Sequence, residues 1–239
     1  MPALHIIARL HAFPEHHIIA SVKSTVQKSS ESTLRAGFHS RGVLPHIKKE
    51  GASYFVTFRL AGTLPKEVLI RFKAERQAIL ADALAGRRPL TWQEQEELFR
   101  WYSARVDKYL DAGHGDCWLA SPEIASLAAN TLQHHANKRF ILHAWVVMPN
   151  YVHAVLRPLP DWTLTKILKS WKGFSAREIN RKLKLTGKPL WQTESYDHLI
   201  RDEEDLQRSC HYTINNPVHA RLCKQPEDWK WSSAYRATQ

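Results

Sequence analysis

The stretch that decides the fold is RFILHAWVVMPNYVHAVLR, residues 139–157. Its two arms, 139–148 and 151–157, are rich in β-branched and aromatic residues, and Pro149-Asn150 separates them. Apolar arms joined by a short Pro-Asn turn predict a hairpin of two antiparallel strands. Tyr151 and His153 stand two positions apart on the second arm, so their side chains are expected on one face of a sheet.

Further strands and helices flank this hairpin without a regular alternation. The segments 52–60 (ASYFVTFRL) and 191–200 predict two more strands. Helical spacing and end signals predict five helices, at about 65–84, 91–111, 122–137, 164–184 and 202–216. A capping box, Thr91 with Glu94, begins the second helix, and Pro217 is expected to end the last. The order favours an α+β fold, an antiparallel sheet covered by helices.

The first forty residues differ from the rest of the chain. They are rich in His and Ser and show no sustained hydrophobic period. We interpret residues 1–40 as a weakly ordered leader, followed by one folded domain over 41–236. The stretch 42–51, which carries Pro45, is expected to be a loop.

The charge balance indicates a polyanionic partner. Lys and Arg number 34 against 23 Asp and Glu, a net charge of +11. Nucleic acid and acidic membrane surfaces are the two usual partners of such a surplus. The apolar runs are too short to cross a bilayer, which argues against a membrane. Cys117, Cys210 and Cys223 form no CxxC pair, so a disulfide framework or zinc site is not supported and a cytoplasmic location is expected.

Three residues form a candidate catalytic set. Tyr212 and Asn216 are four positions apart on the last predicted helix and share its face. A phenol, an amide oxygen and the His153 imidazole together suit metal-assisted phosphoryl transfer, with tyrosine as nucleophile. Spacing alone leaves the ordinary alternative open, since a strand histidine is more often a buried hydrogen-bonding residue and a helix tyrosine more often part of the core.

Several separated motifs resemble one known family. They are RGVLPH (41–46), YFVTFRLAGTLP (54–65), MPNYVH (148–153), LWQ (190–192), DHLIRDEEDL (197–206), YTINNPVHA (212–220) and WKWSSA (229–234). In this order they resemble the REP-associated tyrosine transposases, relatives of the HUH single-strand nucleases. The resemblance covers about residues 41–236. It implies a ferredoxin-like antiparallel sheet covered by helices, with the helices over 65–84 and 91–111 as an inserted pair.

The resemblance also implies roles for individual residues. The family's nucleophile falls on Tyr212, its third metal ligand on Asn216 and the second histidine of its His-x-His pair on His153. The first histidine falls on Tyr151, which is a departure, because a phenol with a pKa near 10 is a poor ligand at pH 7. Three alternatives remain open. The metal binds two protein ligands and water, or another group such as His143 or His198 helps to bind it, or catalysis is weakened.

The best DNA-binding candidate is the helix within 163–190. This segment has eight Lys or Arg residues and a single Glu, a net charge of +7. An ordinary solvated helix mixes both signs, so we expect a DNA-contacting face. Trp171 and Phe174 are interleaved with these charges and are expected in the core. The predicted DNA-binding residues are Lys166, Lys169, Lys172, Arg177, Arg181 and Lys182.

The function expected from these observations is Mg²⁺- or Mn²⁺-dependent cleavage and rejoining of single-stranded DNA. The substrate would be hairpin or palindromic DNA, the intermediate a 5′-phosphotyrosine, and the protein a monomer or homodimer. One alternative is a domesticated DNA-binding protein of the same fold with weakened catalysis, which the Tyr151 departure favours. A second is an RNA-binding module, which shares the charge argument but has no RRM-type signature.

Overall fold

The computed structural model describes residues 38–41, 44–47, 51–86, 88 and 90–237. Strands β1 (Phe38–Arg41) and β2 (Leu44–Ile47) pair as a small antiparallel hairpin. The loop predicted over 42–51 therefore contains a short strand. Residues 1–37 of the predicted leader lie outside the described residues, and the boundary at residue 40 stays a prediction. No described helix is long and apolar enough to span a membrane.

A four-stranded antiparallel sheet forms the centre of the fold. Its strands are β3 (Tyr54–Arg59), β4 (Phe140–Val147), β5 (Tyr151–Pro158) and β6 (Tyr196–Leu199), in the order β4-β5-β3-β6. Helices lie between β3 and β4 and between β5 and β6, which gives the β-α-β-β-α-β ferredoxin-like connection. The predicted β4-β5 hairpin is confirmed. Of the predicted strand 191–200, four residues form β6, and Trp191 makes an isolated bridge to Leu60.

In the described residues, six α-helices surround the sheet. They are α1 (Lys66–Ala85), α2 (Trp92–Tyr102), α3 (Lys108–Asp111), α4 (Pro122–Gln133), α5 (Leu164–Leu183) and α6 (Glu203–His219). The predicted capping box is present, because the Thr91 N–H donates to Glu94 Oε2 at 2.7 Å and the Glu94 N–H donates to Thr91 Oγ1 at 3.3 Å. We call α1 to α3, residues 66–111, the helical insertion.

Two predicted helix ends are wrong, and a third predicted helix is interrupted within its bounds. The helix expected over 91–111 is interrupted by a π-helix, Ser103–Asp107, between α2 and α3. Helix α4 ends at Gln133 rather than near 137, and Asn137 adopts a left-handed backbone with φ of 61°. Pro217 lies inside α6, which continues to His219 because the Ala220 N–H still reaches Asn216 O at 2.9 Å. The proline removes one backbone donor without preventing this last turn.

The sheet separates two differently covered faces. On one face, Val152, Ala154 and Leu156 of β5 pack in a core shared with α4 and α5. On the other face, Tyr151 and Val155 pack with residues of the helical insertion and α6. Successive side chains of a strand point to opposite faces of the sheet, so His153 lies on the same face as Tyr151 and Val155. The candidate catalytic residues and α5 therefore lie on opposite faces of the sheet.

Candidate active site

His153 lies on β5 and is completely buried. Its Nδ1 is 2.8 Å from Thr57 Oγ1, directly across on β3. Burial lowers the pKa of His153 to about 3, so the imidazole is neutral. Nε2 has no hydrogen-bond partner within the described part of the chain. When Nδ1–H donates to Thr57, the Nε2 lone pair is free to bind a cation.

Tyr212 reaches this histidine from α6. Its hydroxyl donates to Asp107 Oδ2 at 2.6 Å, and its ring centroid lies 5.7 Å from that of His153. Edge contacts to Phe55 at 5.8 Å and Phe99 at 6.1 Å hold the ring. Tyr212 is only half-buried, so the phenol lies at the rim of the site. The two predicted residues Tyr212 and His153 are thus brought together.

Asp107, which the sequence analysis did not single out, joins them. It ends the π-helix and is 1% exposed. Its Oδ2 is 3.7 Å from His153 Nε2, while its Oδ1 has no hydrogen-bond partner among the described residues. Burial raises the pKa of Asp107 well above its usual range, and the hydrogen bond from Tyr212 opposes that shift. No pattern in the sequence distinguishes this acid from an ordinary solvated acid of a helix.

Tyr151 is held in a separate hydrogen-bond network. Its hydroxyl lies 2.5 Å from Asn216 Oδ1 and also contacts Asp111 Oδ1. A phenol has one proton and can donate to only one of these two oxygens. The other contact is a hydrogen bond only if the Asp111 carboxyl is protonated or if Asn216 presents its amide N–H to the phenol oxygen. Burial raises the pKa of Tyr151 well above its ordinary value, and the nearby carboxylates Asp111 and Asp107 raise it further. Tyr151 stays a neutral phenol, and Asn216, 1% exposed, is its partner.

The β4-β5 turn anchors the helical insertion over these residues. Asn150 is buried, and its Nδ2 donates to Leu110 O at 3.1 Å and His114 O at 3.2 Å. These bonds hold α3 against the start of β5. Asp107 and Asp111 consequently lie over the strand that carries Tyr151 and His153.

The donors present fit a divalent cation. His153 Nε2 and Asp107 Oδ1 are buried polar atoms without partners in the described residues. Imidazole nitrogen and carboxylate oxygen are both ligands that Mn²⁺ accepts, whereas Mg²⁺ prefers oxygen. The described residues contain no group of three or more His, Cys, Asp or Glu arranged for a metal, so an amide or water must complete any coordination.

His143 and His198, the other candidate ligands, bond elsewhere. His143 Nε2 lies 3.4 Å from Ser53 Oγ. His198 Nε2 lies 3.1 Å from Asp205 Oδ2, at the start of α6. Both side chains thus have structural partners away from His153.

The candidate DNA-binding residues on α5 differ in the hydrogen bonds and ion pairs that they form within the protein. Lys172 Nζ donates to Gln192 O at 2.6 Å and Thr193 O at 2.9 Å, and burial lowers its pKa to about 8. Lys172 therefore holds the loop before β6. Arg177 and Arg181 pair with Glu178, Lys182 pairs with Glu123, and Lys166 Nζ donates to Asp161 O.

The aromatic residues of α5 also differ. Trp171 is 2% exposed, which confirms its core position. Phe174 is 48% exposed, so its predicted core position is wrong. It lies on the solvent side of the helix, where Arg177 covers its ring at 5.6 Å.

Comparison with known proteins finds a family model that is similar to part of this chain. Residues 122–216, which include Tyr151, His153, Tyr212 and Asn216, match the family model described as Transposase IS200 like. Asp107 and Asp111 lie outside this matched segment, on the helical insertion.

Two curated proteins are similar to part of the chain. A REP-associated tyrosine transposase of Escherichia coli is 31% identical over 104 residues, which are 42% of this chain and 58% of the relative. A putative REP-associated tyrosine transposase of Haemophilus influenzae is 25% identical over 123 residues, 48% of this chain and 68% of the relative. The chain thus spans little more than half the length of the first relative.

Solved structures include a REP-associated tyrosine transposase bound to a REP hairpin. It is 17% identical, with a TM-score of 0.44, over 82% of this chain and 81% of that one. A putative transposase from Deinococcus radiodurans is also 17% identical, with a TM-score of 0.27, over 69% of this chain and 89% of that one.

Proposed function

We propose that the protein cleaves and rejoins single-stranded DNA through a covalent intermediate on Tyr212. The observation that carries this proposal is the Tyr212 hydroxyl placed 2.6 Å from a buried carboxylate and beside a neutral buried imidazole. A phenol with an adjacent proton acceptor is an activated nucleophile. The match of residues 122–216 to the family model described as Transposase IS200 like supports the same reaction class.

The chemistry follows from the partners of Tyr212. Its oxygen attacks phosphorus, the bond from phosphorus to the 3′ oxygen breaks, and the strand end leaves as a 3′-hydroxyl that takes up a proton. The product is a 5′-phosphotyrosine, and attack by a 3′-hydroxyl on that linkage rejoins DNA. Asp107 Oδ2 accepts the Tyr212 hydrogen bond and is positioned to receive the proton that the phenol releases.

A divalent cation, Mg²⁺ or Mn²⁺, would polarise the non-bridging phosphate oxygens when bound. His153 is its best-supported ligand, because Nε2 is buried and unpartnered within the described residues. Asn216 remains the candidate amide ligand, although its oxygen here meets the Tyr151 hydroxyl.

The proposed substrate is hairpin or palindromic single-stranded DNA. The net charge of +11 favours a polyanion. The solved relative bound to a REP hairpin is consistent with that choice. Exposed cations on α5, on the other face of the sheet, are the proposed contacts for phosphates away from the cleavage site.

The test is covalent capture with Tyr212→Phe. Full-length protein is incubated with Mn²⁺ and palindromic single-stranded DNA labelled at its 3′ end, then resolved under denaturing conditions. The unaltered protein should form a labelled adduct and Tyr212→Phe should form none, although both bind DNA equally. Tyr235→Phe, an exposed tyrosine, is the matched control and should form the adduct.

Two results would count against the proposal. An adduct that persists in Tyr212→Phe places the nucleophile elsewhere. Binding without any adduct, in the unaltered protein, makes the domesticated DNA-binding protein the better description.

A further inference from the structure

The motif position that the family gives to a metal-binding histidine is blocked in this chain. Tyr151 is completely buried, and its hydroxyl is committed to Asn216 and Asp111. A neutral phenol in two hydrogen bonds offers little to a cation. Any metal centre here needs a ligand from another part of the fold.

Asp107 is placed where such a ligand is needed. Its Oδ2 lies 3.7 Å from His153 Nε2, which is less than twice a typical metal–ligand bond of about 2.1 Å. One ion can therefore contact both residues. Both side chains are buried, His153 at 0% and Asp107 at 1% exposure, and each has an atom without a hydrogen-bond partner in the described ranges.

The surroundings of Asp107 favour a cation as the partner of its carboxylate. Among the described residues, it forms no ion pair with Lys or Arg, and the one basic side chain within 4.0 Å is the neutral imidazole of His153. Buried carboxylates are normally paired or bound to metal. Asp107 also closes a π-helix, a local irregularity that is frequent at functional sites.

We propose that Asp107, on the helical insertion, binds the divalent cation together with His153 and replaces the ligand that Tyr151 cannot supply. This inference rests on the proposed metal-dependent function. It adds a residue outside the family-matched segment 122–216, so that the helical insertion completes the site rather than only covering it.

The experiment measures Mn²⁺ binding without DNA. Full-length protein freed of metal is titrated with Mn²⁺, and the free ion is followed by its electron paramagnetic resonance signal. The unaltered protein should bind one ion. Asp107→Asn, which keeps the size of the side chain and its acceptor for Tyr212, should weaken binding at least tenfold. Asp116→Asn, an exposed residue just after the insertion, removes the same charge and should bind as the unaltered protein does.

A second measurement locates the ion. Broadening of the His153 imidazole signals by Mn²⁺ in nuclear magnetic resonance spectra should occur in the unaltered protein and in Asp116→Asn. In Asp107→Asn it should require at least tenfold more Mn²⁺. Thermal melting of each variant establishes that it is folded. If Asp107→Asn does not fold, Asp107→Glu restores a carboxylate and must restore His153 broadening for the proposal to stand.

The outcomes separate this inference from the proposed function. Equal Mn²⁺ affinity in Asp107→Asn and the unaltered protein overturns the ligand role of Asp107, as does the absence of any binding by the unaltered protein. Equal Mn²⁺ affinity of the two proteins, together with a Tyr212 adduct in the unaltered protein, leaves the proposed function standing without this ligand. Asp107-dependent Mn²⁺ binding without any adduct leaves the metal site standing and removes the nuclease.

Discussion

Single residues determine what the site can do, and Tyr151 is the clearest case. Its hydroxyl links Asp111 on the helical insertion to Asn216 on α6. Tyr151→Phe should lower the free energy of unfolding by about 1–3 kcal/mol, because it leaves the buried Asn216 and the half-buried Asp111 without their shared partner. Urea denaturation monitored by tryptophan fluorescence measures the change.

The matched control for Tyr151→Phe is Tyr109→Phe. Tyr109 lies on α3 and is half-buried, and its hydroxyl makes no hydrogen bond within the described residues. Its loss should change stability by much less. Equal effects of the two substitutions would show that the Tyr151 network contributes little.

The sequence predicted part of this site and missed part of it. Tyr212, His153 and Asn216 were predicted from their motifs, which resemble those of the REP-associated tyrosine transposases, and from spacings that place residues on a shared face. Asp107 was missed, because it lies 46 residues before His153 and outside any motif. An acid in a helix is normally solvated, and the π-helix that turns this one inward leaves no distinct pattern in sequence.

At the scale of elements, α6 is joined to β6 by a buried carboxylate. Asp205 is fully buried and accepts from Arg208 at 2.8 Å, from the Arg201 N–H at 3.1 Å and lies 3.1 Å from His198 Nε2. Burial alone would raise the pKa of Asp205, but these hydrogen bonds hold it at about 2. The network fixes the start of the helix that carries Tyr212.

Asp205→Asn should therefore destabilise the fold in a pH-dependent manner. The loss at pH 7 should be about 2 kcal/mol, typical of hydrogen bonds to a charged group. A folded pKa of about 2 lies below the unfolded value of about 3.9, so this stabilisation is present above pH 4 and disappears as the pH falls towards 2. Denaturation at pH 7 and pH 3 should show the difference between the two proteins shrinking.

Glu204→Gln serves as the control for this element. Glu204 is exposed in the same first turn of α6, so its substitution should have a small effect at both pH values. A gap between Asp205→Asn and the unaltered protein that stays constant from pH 7 to 3 would contradict the assigned ionisation.

Elements with strong local signals were predicted well, and those decided by tertiary contacts were not. The hairpin of β4 and β5, the capping box of α2 and the N-terminus of α6 at Asp202 each have a local cause. The extent of β6 depends on pairing with β3, and the passage of α6 through Pro217 depends on packing of its buried face. Such contacts join residues far apart in sequence.

At the scale of the whole described unit, the sheet separates the candidate catalytic residues from the basic helix α5. Tyr212, His153 and Asp107 lie on the face covered by the helical insertion and α6, whereas α5 lies on the other. A DNA substrate that contacts both must pass around an edge of the sheet. A hairpin with a single-stranded extension has two parts that suit this arrangement, and the two faces can be tested independently.

Lys169 on α5 is the cation best placed to test the second face. It is exposed, and across the described ranges it forms no ion pair, whereas its neighbour Lys172 is committed to the loop before β6. Lys169→Glu should weaken binding to all single-stranded sequences. The slope of log K against log salt should become less steep by about 0.7 for each phosphate that the protein no longer neutralises. Fluorescence anisotropy over a salt series gives both quantities.

Lys73→Glu, the same charge change at an exposed position of α1 on the opposite side, should alter the slope much less. Equal slopes for the two variants would mean that DNA does not follow α5, and adduct formation by Tyr212 would then have to rely on phosphate contacts from the other face alone.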